Sequence, residues 1–266
     1  MPDTVALDYR QHGDSAQPTL VLLHGLYGSA SNWARIVSTL AQDYRVLSPD
    51  LRNHGGSPQH ADMRYPAMAA DVLALLDSLD IEKAHILGHS MGGKVAMLCA
   101  LQSPQRLHSL IVADMAPRAY ADGEHQAIID AMRELDLTAL DSRRAADQAL
   151  AAAIPVQGVR QFLLTNLQRR QEHWCWRLPL DILSDQLPVI MDWPTVEGRF
   201  NGPALFLHGG RSDDLSSPDH AVIQRLFPKA HIRCLENRGH WLHAEDPAAF
   251  SEEVMQFLDD TNNSAM

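Results

Sequence analysis

The residues of this chain best suited to covalent chemistry lie in Gly88-His89-Ser90-Met91-Gly92, where a serine has a glycine two positions to either side. A serine displayed at the tip of a strand-to-helix turn needs strained backbone, so the flanking positions must be nearly free of side chain. The apolar Ile86-Leu87 in front and a helix-like segment from Lys94 behind fit such a turn. A serine hydroxyl is a poor nucleophile at neutral pH and needs a positioned base. It also needs donors for the charge that develops on a carbonyl oxygen, and the Met91 N–H at the helix start is placed to be one.

The base is sought late in the chain. Among fourteen histidines, His240 falls in a glycine-containing loop, Asn237 to His243, after the last strand-like run. His243 is its local competitor, but a bare His240-x-x-His243 without further ligands is weak as a zinc pair, and no metal site is expected. A second donor for the oxyanion is the Leu26 N–H, within His24-Gly25-Leu26-Tyr27-Gly28-Ser29. G-x-S-x-G is also the nucleophile-elbow pattern of α/β-hydrolases, whose chain order is serine, acid, histidine. Two acids fit that order: Asp213, in Gly210-x-x-Asp213, and Asp114, in Asp114-Met115-Ala116-Pro117. Either could orient an imidazole and stabilise its cation. Asp214 and Asp219 read as loop-solvating or helix-capping residues, Asp50 and Arg52 as loop pins, and His89 as packing.

These loops need elements to hold them. Continuous apolar runs at 19–23, 45–48, 84–87, 110–113 and 204–207, with a last strand at 232–235, suit strands buried on both faces of a parallel sheet. Residues 4–10 could add an edge strand. Helical patterns intervene near 31–40, 67–79, 94–101, 218–227 and 247–258, and 261–266 reads as a frayed tail. This alternation predicts an α/β fold with a mostly parallel, doubly wound sheet, and reactive groups gathered in loops at the carboxyl ends of its strands. Between 118 and 200 the rhythm becomes mostly helical, with patterns around 128–135, 143–153 and 159–167 and no convincing buried strand between them. The expected division is a core of 1–117 and 201–266 with a helical cap insertion, or lid, at 118–200. Tyr27, Trp174, Trp176, Trp193 and Trp241 are the candidate walls of an apolar substrate pocket between the two. For the three cap tryptophans, simple anchoring to the core is the equal alternative.

Composition narrows the classes. The chain has 266 residues, 45% hydrophobic and 21% charged, which suits one globular unit with a large core. A formal net charge of −11 argues against nucleic acid or anionic membrane as partner. Three scattered cysteines give neither a disulfide framework nor a zinc knot. No secretory signal or membrane-spanning run is read, so a cytoplasmic enzyme is expected, and Asn262-Asn263-Ser264 carries no weight as a glycosylation site.

Several longer strings sharpen the picture. Pro49-Asp-Leu-Arg-Asn-His-Gly-Gly-Ser57, Leu87-Gly-His-Ser-Met-Gly-Gly-Lys94, Ala113-Asp-Met-Ala-Pro117 and Gly239-His-Trp-Leu-His-Ala-Glu-Asp-Pro247 resemble the YbfF-type small esterases of the α/β-hydrolase fold. The segment from Trp176-Arg177-Leu178 to Trp193 is also similar, so the resemblance spans nearly the whole chain. It implies hydrolysis of acyl esters or thioesters with a small helical cap and no cofactor. It implies Ser90 as nucleophile and His240 as base, and it shifts the acid toward Asp114, because members can lack an aspartate where Asp213 stands. The alternatives are a carbon–carbon bond hydrolase or a cofactor-free perhydrolase on the same triad and, from another class, a non-turnover ligand receptor.

Overall fold

The computed structural model describes residues 3–121 and 123–263; the end of the expected frayed tail, 264–266, lies outside them. Among the described residues, seven strands form one sheet: β1 (Tyr9–His12), β2 (Thr19–Leu23), β3 (Arg45–Pro49), β4 (Ala84–His89), β5 (Leu107–Ala113), β8 (Ala204–Gly209) and β9 (Ala230–Leu235). Their order is β1-β3-β2-β4-β5-β8-β9, parallel throughout except for β1, which runs antiparallel along the edge beside β3. The edge strand begins five residues later than the sequence pattern suggests. Its residues are exposed, so no buried alternation marks it.

Period-two alternation divides the central strands between two cores. Val21, Leu23, Leu47, Ile86, Leu110 and Val112 face α2 (Tyr65–Ser78) and α3 (Met91–Gln102). Leu20, Leu22, Val46, Leu87, Ile111 and Leu205 face α1 (Ala34–Leu40) and the terminal α10 (Pro247–Asn263), through Trp33, Ile36, Phe250 and Val254. Burial on both faces is why these strands read as unbroken apolar runs. Each fully buried side chain of this size contributes roughly 1.5–3 kcal/mol. The remaining core elements are α8 (His220–Leu226) and the single turn α9 (Leu242–Glu245).

Between β5 and β8 the chain forms α4 (His125–Glu134), α5 (Arg143–Leu150), α6 (Gln157–Leu164) and α7 (Leu180–Met191). It also forms a two-stranded antiparallel hairpin, β6 (Leu167–Arg170) and β7 (His173–Trp176), which the sequence pattern does not reveal within the mostly helical insertion. The turn between its strands places Gln171 at φ 54. The strands carry exposed arginines and only half-buried aromatics, so they lack the apolar run that marks a sheet-buried strand.

Two buried cations tie the molecule together. Arg52 is fully buried and grips Asp71 of α2 with Nε and Nη2 at 2.6 and 2.8 Å. Lys94 of α3 is also buried, and its ammonium donates to the Met191 and Asp192 carbonyls at 3.1 and 2.7 Å, at the carboxyl end of α7. The Tyr65 and Tyr120 rings flank it at 5.3 and 4.8 Å. A cation on the last carbonyls of a helix meets the negative end of its dipole.

Candidate active site

Ser90 follows the last residue of β4 and precedes the first of α3, at φ 54 and ψ −121, a conformation that L-residues avoid. The flanking glycines explain how the chain tolerates it. A Cβ at Gly88 would overlap the Gly92 carbonyl, and one at Gly92 would overlap the Leu23 carbonyl. The Ser90 N–H donates to the Ala113 carbonyl at 3.1 Å, while the Ser90 carbonyl accepts from the Gly93 N–H at 2.8 Å. The turn is thereby stitched to the end of β5 and to the first turn of the helix.

Asp114 is the next residue after β5, also left-handed at φ 52. Its carboxylate is fully buried and fully engaged. Oδ1 accepts the Gly209 N–H at 3.0 Å, and Oδ2 accepts from the Ser212 hydroxyl at 2.5 Å and from His240 Nδ1 at 2.8 Å. Asp213 is exposed, and its carbonyl, not its carboxylate, is used, accepting from Arg118 Nη2 at 3.2 Å. The neighbouring Asp214 turns inward instead, with Oδ2 at 2.8 Å from His240 Nδ1. That corrects its reading as a loop-solvating residue: two adjacent aspartates point to opposite sides of the loop, which spacing from Gly210 cannot resolve. Asp219 does cap, accepting from the Ser216 N–H at 2.9 Å, and also pairs with Arg118.

With two carboxylates at Nδ1, that nitrogen carries the proton, which makes Nε2 the acceptor in the neutral ring. Burial alone would draw the His240 pKa down. The hydrogen bonds and charges of Asp114 and Asp214 outweigh it and raise the value to about 9. His243, the competing histidine, has no such partner. It lies buried against Trp33 and His89, with ring centroids 4.8 and 4.5 Å away, and burial pushes it down to about 3. His89 is buried as expected, but it also donates from Nε2 to the His240 carbonyl at 2.8 Å and so fixes the backbone of the loop. Asp114, Asp214 and His240 are also a grouping whose potential ligand atoms lie within 4.8 Å of one another. Their hydrogen bonds to each other account for that closeness, and no metal is assigned.

The loop after β2 is held by a pair of histidines that sequence reasoning left unassigned. His24 donates from Nδ1 to the Gly25 carbonyl at 2.8 Å and accepts the Leu51 N–H on Nε2 at 2.9 Å. His54 accepts the Tyr27 N–H at 3.1 Å, with Tyr27 itself at φ 63. Burial, followed by mutual repulsion with His24, lowers His54 to about 3, so it stays neutral and can accept. Asp50 adds acceptors for the N–H groups of Ala30 and Gly56 at 2.6 and 2.8 Å. This network holds the loop in which Gly25 lies against Ser90 and Leu26 lines the same cavity, while Met91 opens α3.

Ser90 and His240 open on one cavity of about 1110 Å³. Tyr27 and Trp241 line it, as do Ile128, Val159 and Phe162 from the insertion, and the Phe162 and Trp241 rings lie 5.8 Å apart. Trp174, Trp176 and Trp193 do not line it, which corrects their assignment to the pocket. The Arg143 and Arg169 guanidiniums approach the Trp174 ring to 5.7 and 5.9 Å, and Trp176 donates from Nε1 to the Met132 carbonyl at 2.8 Å. Trp193 packs against the core. Large aromatics with one polar edge serve well as anchors inside the insertion. Phe162 was missed because nothing in an amphipathic helix marks which apolar residue faces a cavity.

The chain is similar to known proteins along most of its length. A family model described as Alpha/beta hydrolase family matches residues 20–253. Esterase YbfF of Escherichia coli (strain K12) is 34% identical, over 94% of this chain and 95% of its own. The sn-1-specific diacylglycerol lipase ABHD11 of Mus musculus is 41% identical, over 92% of this chain and 82% of its own. A solved structure titled Marine microorganism esterase superposes with a TM-score of 0.92 at 35% identity, over 95% of this chain and 99% of that one. The chain belongs to the alpha/beta hydrolase family, and these relatives place it with that family's esterase- and lipase-type hydrolases.

Proposed function

We propose that the chain cleaves carboxylic (acyl) esters or thioesters through an acyl-enzyme, with Ser90 as nucleophile, His240 as base and Asp114 as the acid that orients it. The observation that carries this reading is the meeting of three strand ends. Ser90 after β4 shares a cavity with His240, whose Nδ1 is 2.8 Å from the buried Asp114 after β5. Ser90 Oγ adds to the acyl carbonyl while its proton passes to His240 Nε2. The Leu26 and Met91 N–H groups receive the oxyanion. The tetrahedral carbon then expels the alcohol or thiol, which takes the proton from His240. Water, deprotonated by the same imidazole, releases the acid and returns the hydrogen to Ser90.

The cap side of the cavity is apolar at Ile128, Val159 and Phe162, which suits an acyl chain better than a polar acid. The segment 118–200 acts in this reading as a cap over the site and not as a separate unit. No cofactor enters the scheme. The test is a chain-length series of p-nitrophenyl esters, acyl thioesters and a diacylglycerol against the wild type and Ser90→Ala. Turnover that depends on Ser90 and increases with an apolar acyl group is expected; equal turnover by Ser90→Ala would overturn the proposal.

A further inference from the structure

The imidazole that a hydrolase of this design needs has one carboxylate more than the triad uses. Asp214 Oδ2 and Asp114 Oδ2 each lie 2.8 Å from His240 Nδ1, and they come from different loops, after β8 and β5. Ser212 sits between them, donating its hydroxyl to Asp114 at 2.5 Å and lying 3.3 Å from Asp214 Oδ2. The Asp214 backbone is fixed in turn by the Tyr120 hydroxyl, which donates to its carbonyl at 2.5 Å. Arg118 approaches Asp214, but its direct bonds go to Asp219 and to the Ala119 and Asp213 carbonyls. Among the described residues, His240 is therefore the ion-pair partner of Asp214.

We infer that Asp214 is a positioning residue that acts through His240: with Asp114 it clamps the imidazole by Nδ1 and, by its charge, sets the pH above which the ring can accept the Ser90 proton. This rests on the hydrolase reading above. One N–H faces two carboxylates, so the charged ring satisfies both better than the neutral ring does, and losing the proton from Nε2 becomes harder. The other groups around the imidazole do not oppose this. His89 from the end of β4 and His243 from α9 are both held neutral by burial, and Ser90 is uncharged. Around Asp214 itself stand Arg118, whose positive charge steadies the carboxylate without bonding to it, Tyr120 and, farther off, Lys94, which burial draws down to about 7 and which therefore loses its charge below the His240 limb. Behind Asp114, the Cys234 thiol is pushed up mainly by burial, and so stays uncharged there.

The test compares the pH dependence of kcat/KM for an uncharged ester in the wild type, Asp214→Asn, Asp214→Glu and Asp213→Asn. The His240 ring is followed in parallel by NMR with labelled histidine. The acid limb of Asp214→Asn is expected to move down by roughly one to two pH units, and the imidazole titration to move with it. Asp214→Glu should recover most of the shift, and Asp213→Asn should show none. A purely structural role would lower the rate at every pH with the limb in place, and that result overturns the inference. So does a wild-type His240 that titrates near its ordinary value, a measurement that needs no variant to fold. If the imidazole titration moves on substitution but no ester is turned over, the clamp stands and the hydrolytic reading fails. If esters are turned over and neither limb nor ring moves, the reverse holds.

Discussion

Ser90 and Asp114 share a backbone feature on which their side chains depend, since both lie in the left-handed region at φ 54 and 52 and both follow a central strand directly. Strain of this kind costs on the order of 1–3 kcal/mol per residue and survives only where neighbours over-determine it. The Gly88 and Gly92 contacts and the fully bonded Asp114 carboxylate supply that support. Asp114→Asn removes the buried acid but leaves Asp214 on Nδ1, so kcat is expected to fall by less than the roughly 10⁴ lost where a triad aspartate is the sole partner, while Asp213→Asn stays near wild type, as steady-state kinetics would show. The raised His240 pKa, about 9, gives two further expectations. Because the base must be neutral, kcat/KM should rise about tenfold per pH unit below that value and level above it. The effect on stability has the opposite sign. A proton held more tightly when folded stabilises the fold fully below about pH 6.5, and this contribution disappears as pH rises through about 9. Thermal melting should therefore fall across that window, and fall less in Asp114→Asn. A flat profile would contradict both.

At the scale of elements, α7 is pinned to α3 by one side chain. Burial draws the Lys94 ammonium down to about 7, against the pull of Asp192, yet it bonds the last carbonyls of α7. Lys94→Met keeps the aliphatic volume and strands those carbonyls, so a loss of roughly 1.5–3 kcal/mol is expected in denaturant unfolding. The two kinds of aromatic in the insertion should separate in the same experiments. Phe162→Ala should raise KM selectively for long-chain esters, because it opens the cavity wall, whereas Trp176→Phe should cost about 1 kcal/mol of stability and leave KM unchanged. This distinction was not legible in the sequence. The tryptophans stood out there as large rare residues, but the Trp176 Nε1–H is used by the Met132 carbonyl and the Trp174 ring by two arginines of the insertion. The β6–β7 hairpin escaped for a related reason, since its strands cover a surface and carry no buried run.

At the scale of the molecule, the sheet was the legible part. Strands buried on both faces are written as uninterrupted apolar runs, and 19–23, 84–87 and 204–207 each fall within an observed strand. Since every parallel strand points its carboxyl end the same way, knowing the strands was enough to gather the loops near 25, 114 and 240 at one edge. What strand order could not provide is the rotation of a loop by one residue, and that is why Asp214 rather than Asp213 reaches the imidazole. Helices of the described residues are nowhere long and apolar enough to cross a membrane. Acylation of Ser90 can be read by mass spectrometry of the protein quenched during turnover of a slow ester. One acyl group is expected on the peptide bearing Ser90, absent in Ser90→Ala and accumulating in His240→Ala only at a greatly reduced rate. Hydrolysis that proceeds with no adduct there, or with the adduct on another residue, would contradict it.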